Sequence, residues 1–364
     1  MQQATHIFTG SGSIKAFEAF IREAPNKYSS IFILTDTNTR KHCLPVLSNT
    51  LWFPESAVIL EVAPGEKSKS FFSCTRLWSE MAMHGADRQS LLICLGGGVV
   101  CDLGGFVAST FQRGINFVYL PTSLLAQVDA AIGGKTGVNL GNLKNYVGTF
   151  SEPRAIFIFT KFLLSLHFEE LLSGFAEVIK HALLSSEKIF YKLAGRFPDI
   201  QSVRECRNWD AVVSQSANIK SKVVKADFHE KGLRKILNFG HTVGHAFESH
   251  SLENGSHPLP HGYAVAMGLI VEMILSVRRA GLDEQFYNKI SDYLLSLFPF
   301  YFFEPDEIPE IIRLMGFDKK NQSGEIKMVL MQSPGDFLTN VTCLKQEIEF
   351  CLNQYLEMGE RHTP

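Results

Sequence analysis

Five short apolar runs, separated by longer stretches, dominate the first 160 residues of the chain. They are residues 30–35, 57–62, 91–95, 117–120 and 155–159. Between the second and third runs, residues 67–84 carry apolar side chains at roughly helical spacing. Continuous apolar strands that alternate with helices are typical of a parallel sheet covered on both faces. The pattern predicts an open α/β nucleotide-binding fold, whose ligands bind at the carboxyl ends of the strands.

Helical periodicity replaces the strand pattern from about residue 164. Helices are predicted over residues 174–184, 208–226, 240–248, 262–279 and 347–357. Residues 326–331 and 337–341 flank Pro334-Gly335, which predicts a small hairpin. We therefore predict an α/β nucleotide-binding domain over residues 1–162 and a mainly α-helical domain over residues 163–364.

Charge and composition exclude several classes of protein. The chain has 35 Lys and Arg against 37 Asp and Glu, a net charge of −2, which argues against nucleic-acid binding and against a membrane-surface patch. No apolar run approaches the ~20 residues of a membrane span, and residues 1–8 lack the pattern of a signal peptide. The seven scattered Cys, with no CxxC, predict free thiols in a reducing cytoplasm.

Two glycine-rich segments are candidates for binding a phosphorylated ligand. Residues 96–105 follow an apolar run directly, so a helix that starts there would point free N–H groups at a phosphate, although a tight strand-to-helix turn explains the glycines as well. Residues 129–145 read as a mobile loop that offers Lys and Asn donors to an oxyanion-rich ligand, or as a solvated loop without function. Arg113, just before the next apolar run, adds a further candidate cation.

The helical half carries a candidate metal site. Glu177 and Lys180 share one face of an otherwise apolar helix, so each needs a partner. Arg234, Asn238, His241 and His245 recur at spacings of four, three and four, although Asn238-Phe239-Gly240 indicates a break before a new helix. One carboxylate and two imidazoles, open on one side, form the ligand set of a catalytic zinc. His245 fits a hydrogen-bonding or proton-shuttling role better, and His181, His250 and His257 read as structural or solvated.

Seven stretches of the sequence resemble the 3-dehydroquinate synthase family of the sugar phosphate cyclase superfamily. They are PGEKSK, GGGVVCDLGGF, FQRGINFVYLPTSLLAQVDAAIGGKTGVN, LKNYVGTF, SGFAEVIKHAL, GLRKILNFGHTVGHAFE and PHG, in the family order across nearly the whole chain. Together they are highly specific, although GGG alone is weak. The resemblance implies a dehydroquinate synthase-like fold, with an α/β NAD-binding domain and a helical domain that binds metal and substrate.

The resemblance also implies the site residues. Positions that match the family's NAD contacts are Asp36, Asn38, Glu66, Lys69, Gly97, Gly98, Val99, Asp102, Thr122, Ser123, Leu125, Lys144 and Glu170. The metal ligands, for Zn2+ or Co2+, match Glu177, His241 and His261. Substrate contacts match Asp129, Lys135, Asn145, Lys180, Lys220, Glu230, Arg234, Asn238 and His245, with one of Lys319 and Lys320. Arg113 matches an arginine that the partner subunit supplies, which implies a homodimer.

The family reaction would take 3-deoxy-D-arabino-heptulosonate 7-phosphate, a phosphorylated sugar acid, through transient oxidation by NAD+, phosphate elimination, re-reduction, ring opening and aldol closure. A local Lys and Arg cluster in a nearly neutral chain suits a substrate that carries both a carboxylate and a phosphate. His245 is the candidate for relaying the proton of the C5 hydroxyl. The departing phosphate can serve as a base in the family, so no dedicated carboxylate base is required.

The chain departs from the family pattern at three places. Tyr263 and Ser123 replace the more common Glu and Thr, and the segment between His241 and His261 is a few residues longer. His257 lies in that segment, but Gly262 and an apolar helix follow His261 as the pattern expects. Alternatives are another sugar phosphate cyclase, such as 2-deoxy-scyllo-inosose synthase or an epi-valiolone synthase, a metal-dependent polyol dehydrogenase of the glycerol dehydrogenase type, and an inactive NAD-binding or regulatory protein. The set of Asn145, Arg234 and Asn238 favours dehydroquinate synthase among the cyclases.

Overall fold

The structure is a computed structural model that describes residues 5–50, 54, 56–141, 143–254, 258–316 and 325–362. Its internal contacts divide the chain into two units. The first comprises residues 1–171 and 207–221, and the second residues 172–206 and 222–364. The domain boundary between residues 162 and 163 stays a prediction.

The first unit is built on a six-stranded sheet whose strand pairs are all parallel. Its strands are β1 (His6–Phe8), β2 (Ile31–Asp36), β3 (Val58–Val62), β4 (Leu91–Gly96), β5 (Asn116–Pro121) and, after an antiparallel hairpin of β6 (Lys135–Leu140) and β7 (Leu143–Phe150), β8 (Ala155–Phe157). The helices are α1 (Ser11–Lys27), α2 (Thr37–His42), α3 (Leu44–Thr50), α4 (Phe71–Met83) and α5 (Gly98–Thr110). The order across the sheet is β1-β8-β5-β4-β2-β3, which confirms the predicted open α/β fold.

The sheet forms where the apolar runs were predicted. All six residues of β4 are buried, because the strand lies inside the sheet and is covered on both faces. On one face Phe17 and Ile21 of α1 pack against Ile93 and Phe157, with the remainder of a continuous apolar core around them. Burial of continuous Ile, Leu, Val and Phe runs therefore drives this half of the fold.

The β6–β7 hairpin was not predicted. The expectation of a mobile loop over residues 129–145 is wrong from Lys135 onward, because Lys135–Leu140 pairs with Leu143–Phe150. Gly137 and Gly148 face each other across this pair. All residues of β7 are at least partly exposed, so the strand lacks the apolar signature that identifies a buried one.

The second unit is mainly helical, as predicted. Its elements are α6 (Phe168–Ser185), which begins in the first unit, α7 (Glu187–Arg196), α8 (Ile200–Glu205), α9 (Asp210–Ala226), which ends in the second unit, α10 (His241–Asn254), α11 (His261–Ala280), α12 (Glu284–Leu297), α13 (Ile308–Gly316), the antiparallel pair β9 (Ile326–Ser333) and β10 (Asp336–Cys343), and α14 (Lys345–His362). The hairpin predicted around Pro334-Gly335 is confirmed. A 3₁₀ turn over Leu233–Asn238 precedes α10, which confirms the predicted break.

The centre of this unit is α11, which is buried from Gly262 to Ser276. At Gly268, α10 and α11 meet so closely that an added Cβ would lie 2.1 Å from the Gly240 carbonyl oxygen. The two helices can therefore bring their first residues, His241 and His261, near each other. No helix in the described part of the chain combines the length and apolar character that a membrane crossing requires.

We expect Gly104→Ala to lower the free energy of unfolding by about 1–3 kcal/mol, the usual cost of overpacking a filled core. An added Cβ at Gly104 would lie 2.4 Å from the Cys94 sulfur and 3.0 Å from Leu34. Urea unfolding measures the change. Gly12→Ala in α1 is the control, since nothing lies within 4 Å of its added Cβ. Equal stability of the Gly104 variant and the wild type would contradict this packing.

Candidate active site

The predicted nucleotide site lies at the carboxyl edge of the parallel sheet. Strands β2, β4 and β5 end there at Asp36, Gly96 and Pro121. Gly97 precedes α5, so the first N–H groups of this helix, from Gly98 and Val99 on, point toward the same edge. Thr122 follows β5 and donates its N–H to the Gly96 carbonyl oxygen at 3.0 Å, which ties the two strand ends together. A helix N-terminus beside the ends of parallel strands suits a pyrophosphate group.

Lys69 joins several of the predicted cofactor residues. Its side chain is 4% exposed, and its ammonium donates to the Asp102 carboxylate at 2.7 Å and to the Asn145 side-chain oxygen. The Glu66 carboxylate lies 3.6 Å away and accepts from Asn139 at 2.9 Å. Burial disfavours the charged amine, but the Asp102 and Glu66 carboxylates more than offset it and raise the pKa of Lys69. Lys69 is therefore a fixed cation at neutral pH.

The remaining residues predicted to contact the cofactor lie outside the group around Lys69. Asp36 caps α2 by accepting the Thr39 N–H at 2.8 Å, and Asn38 is exposed in the same helix. Ser123 lies buried next to Thr122, and Leu125 is half-buried just beyond it. Lys144 on β7 and Glu170 on α6 are exposed.

Four residues predicted to contact substrate also lie in the first unit. Lys220 on α9 donates to the Asp129 carboxylate at 2.7 Å and to the Asp129 carbonyl oxygen at 2.6 Å, and its side chain is 8% exposed. Lys135 is exposed at the start of β6, and Asn145 contacts Lys69. A buried lysine with two acceptors on one residue has a fixed position.

Arg113 lies at the other edge of the sheet. It follows α5, whose 13 residues run from the carboxyl end of β4 toward the start of β5. A helix of this length spans about 20 Å. Gln112 and Arg113 have φ angles of 49° and 71°, and this left-handed pair reverses the chain before β5. Arg113 therefore lies far from the nucleotide-binding edge of its own chain.

In the second unit, three helices bring the predicted metal ligands together. Glu177 comes from the middle of α6, and His241 and His261 are the first residues of α10 and α11. The Nε2 atoms of His241 and His261 lie 3.5 and 3.8 Å from the Glu177 Oε1 atom. His245, one turn after His241, has a ring nitrogen within 4.8 Å of ring nitrogens of both other histidines.

The geometry of this cluster fits a divalent metal ion. Ligand atoms about 2.1 Å from a tetrahedral ion lie about 3.4 Å apart, close to the two observed Nε2–Oε1 distances. Glu177 is fully buried, and its Oε1 accepts no hydrogen bond from any residue the structure describes. This buried Oε1 atom faces two imidazoles, and no described residue donates a hydrogen bond to it, so the position suits a bound cation. The donor set of one carboxylate and two imidazoles suits zinc or cobalt.

The Nδ1 atoms of the same two histidines face away from the cluster. His241 Nδ1 lies 3.3 Å from the Phe239 carbonyl oxygen, and His261 Nδ1 lies 3.2 Å from the Glu248 carboxylate. The resemblance to known enzymes did not assign a role to Glu248. Its spacing of seven from His241 on a predicted helix was the only signal in the sequence that could have pointed to it.

Lys180 links the cluster of Glu177, His241 and His261 to the turn before α10. It is 1% exposed, forms an ion pair with Glu177 and donates to the Leu237 carbonyl oxygen at 2.8 Å. In the same turn, Arg234 is 2% exposed and donates to the Phe228 carbonyl oxygen at 2.6 Å, and Asn238 donates to Glu230 at 2.7 Å. The structure thus brings Lys180, Arg234 and Asn238, all predicted to contact substrate, into one connected group.

A buried carboxylate that the sequence analysis missed supports this turn. Glu272 on α11 is fully buried and accepts the N–H groups of Gly240, Thr242 and Val243 at 2.7, 3.0 and 3.3 Å. It therefore caps the N-terminus of α10, whose first residue is His241. Lys319, Lys320 and His257 lie outside the described residues.

Comparison with known proteins supports the assignment of both halves. The family model described as 3-dehydroquinate synthase N-terminal matches residues 59–173, and the one described as 3-dehydroquinate synthase C-terminal matches residues 174–321. A 3-dehydroquinate synthase from Parabacteroides distasonis is 40% identical over 331 residues, which cover 91% of this chain and 92% of the relative.

Two solved structures share the fold over almost the full chain. The 2-epi-5-epi-valiolone synthase from Streptomyces hygroscopicus subsp. jinggangensis, with NAD+ and Zn2+ bound, has a TM-score of 0.84 at 23% identity and covers 98% of both chains. A 2-deoxy-scyllo-inosose synthase complexed with carbaglucose-6-phosphate, NAD+ and Co2+ has a TM-score of 0.83 at 21% identity and covers 97% of both. The fold is thus the one that these two synthases have.

Within this fold class, the sequence matches identify the family. The chain belongs to the 3-dehydroquinate synthase family of enzymes.

We expect Glu272→Ala to lower the free energy of unfolding by about 3 kcal/mol, because three backbone N–H groups lose a buried charged acceptor. Urea unfolding of the metal-free protein measures the loss. Glu349→Ala, at an exposed position of α14, is the matched control and should change stability by less than about 0.5 kcal/mol. Equal effects of the two substitutions would show that Glu272 does not stabilise the start of α10.

Proposed function

We propose that the protein converts 3-deoxy-D-arabino-heptulosonate 7-phosphate to 3-dehydroquinate and phosphate, a step of the shikimate pathway. The observation that carries this proposal is family membership over both halves of the chain, with a 40% identical 3-dehydroquinate synthase that aligns over 91% of it. The geometry around Glu177, His241 and His261 fits the metal site that this chemistry requires.

NAD and a divalent ion, Zn2+ or Co2+, are the proposed cofactors. The sheet edge at Gly97, Gly98, Val99, Thr122 and Ser123 would hold the nucleotide, together with Lys69 and its neighbours. Glu177, His241 and His261 would hold the ion. When bound, NAD+ accepts and returns a hydride, and the ion acts as a Lewis acid.

The buried cations are proposed to bind the two anionic groups of the substrate. Lys180 and Lys220 each have a fixed ammonium, held by Glu177 and by Asp129 respectively. Arg234 is fixed by the Phe228 carbonyl oxygen, and Asn238 by Glu230. Because these groups are already oriented, little side-chain entropy is lost when substrate binds, and successive steps can share one geometry. Lys135, Asn145 and one of Lys319 and Lys320 complete the proposed contacts.

His245 is proposed to move the proton of the C5 hydroxyl. It is exposed on α10, one helical turn after His241, whereas His241 is buried. An imidazole that is open to solvent can pass a proton outward, and histidine serves as both general acid and general base near neutral pH.

We further propose that the enzyme is a cytoplasmic homodimer. Arg113 lies at the sheet edge opposite the nucleotide site of its own chain, which fits its donation to the partner subunit. The seven cysteines are free thiols in the structure, as predicted, which fits a reducing compartment.

We expect phosphate release from 3-deoxy-D-arabino-heptulosonate 7-phosphate in the presence of NAD+ and Zn2+ or Co2+, and loss of at least about 90% of the rate after chelation, because the Lewis acid is removed. Phosphate, 3-dehydroquinate and NADH are measured in parallel, and no NADH should accumulate. NADH formation from a simple polyol, without phosphate release, would favour the dehydrogenase alternative. Turnover of a different sugar phosphate alone would favour another cyclase.

We expect Lys135→Ala to raise the KM for the phosphorylated substrate about 10–100-fold, because a charge-assisted hydrogen bond is lost. NAD binding, followed by fluorescence titration, should stay within about twofold of the wild type. Lys15→Ala at an exposed position of α1 is the matched lysine control. Equal weakening of substrate and NAD binding by Lys135→Ala would contradict its assignment to the substrate.

A further inference from the structure

The proposed metal-binding histidines differ in what holds their second ring nitrogen. A backbone carbonyl, that of Phe239, faces His241 Nδ1, whereas the Glu248 side chain faces His261 Nδ1 at 3.2 Å. Carbonyl and carboxylate oxygens only accept hydrogen bonds, so in each ring Nδ1 carries the proton. The Nε2 lone pair is then left to face Glu177, in the tautomer that a metal ion requires.

We propose that Glu248 is a positioning residue for the metal ion, through the orientation it gives to His261. This inference rests on the metal site proposed above. Glu248 is not itself a ligand, because its carboxylate contacts Nδ1 of His261, whereas the Nε2 atom on the other side of the ring faces Glu177. A carboxylate in this place fixes the tautomer of the imidazole and makes Nε2 a more basic ligand for the metal ion.

The position of Glu248 on α10 explains why it can orient His261. His241, His245 and Glu248 are four and three residues apart on α10, so all three share one helical face. That face meets the start of α11, where His261 lies. One helix therefore supplies a ligand and also the group that orients a ligand on its neighbour.

The two histidines also differ in how much the surrounding protein restrains them. The His261 side chain is 28% exposed and that of His241 is 11% exposed. Packing alone restricts His261 less, so its orientation depends more on the hydrogen bond to Glu248. The Glu248 side chain is 15% exposed and thus largely shielded from competing water.

The test is Co2+ binding to the metal-free protein, followed by titration and by the visible absorption band of the bound ion. We expect Glu248→Ala to weaken Co2+ binding about 10–100-fold and to alter the band, as loss of an outer carboxylate does elsewhere. Glu248→Gln, whose amide oxygen still accepts from Nδ1, should recover most of the affinity. Glu253→Ala, at an exposed position on the same helix, should match the wild type. Wild-type affinity and an unchanged band in Glu248→Ala would overturn the inference.

Parallel measurements separate the possible causes of failure. Glu177→Gln should abolish Co2+ binding, and if it does not, the proposed metal site itself is wrong. If Glu177→Gln abolishes binding and Glu248→Ala leaves it unchanged, only the role of Glu248 is wrong. The midpoint of thermal unfolding of the metal-free Glu248→Ala protein should stay within about 3 °C of the wild type. If that variant does not fold, Glu248→Leu, which retains more of the volume, replaces it with the same expected loss of affinity.

Discussion

The ion pair between Glu177 and Lys180 is the constraint on which the second unit depends. Both side chains are almost fully buried on an apolar helix, and removing either charge from water is costly unless partners compensate. Lys180 finds a second partner in the Leu237 carbonyl oxygen, so α6 is joined to the turn that leads into α10. The need to satisfy one buried ammonium thus sets where His241 begins its helix.

Three neighbouring features act on the same short segment. Glu272 accepts the N–H groups at the start of α10, and the close contact at Gly268 packs α11 against the same place. Asp227 holds the turn that precedes α10. The Asp227 carboxylate accepts N–H groups from Gly232, Lys231 and Arg234, and these bonds keep its pKa below the usual value. Arg234, Asn238 and His241 are therefore held by backbone contacts as much as by side-chain packing.

The sequence predicted the fold where the signal is local and strong. Continuous apolar runs predicted five of the six strands of the parallel sheet within one or two residues. Periodicity predicted α6, α9, α10, α11 and α14 of the second half, but not α7, α8, α12 and α13. The break at residues 238–240 was predicted because Gly240 interrupts the helical pattern. The β6–β7 hairpin was missed, since β7 is exposed or half-buried throughout, β6 is buried only at Thr136, Gly137 and Val138, and neither strand carries a continuous apolar run.

Only part of the candidate site could be predicted from the sequence. Glu177, His241 and His261 were named from residue type and resemblance, and the structure brings them together. Glu248 and Glu272 were not named, because their roles depend on which face of one helix meets the next. Carboxylates on helices are common, and neither spacing nor composition separates these two from an exposed one.

The buried carboxylate of Glu272 also resolves an electrostatic conflict. Both proposed imidazole ligands are the first residues of helices, where the positive end of the helix dipole favours anions and repels cations. The Glu272 carboxylate on the free N–H groups of α10 offsets the positive end of that helix dipole. The protein can in this way use a helix start, ordinarily a place for phosphates, as part of a pocket for a divalent cation.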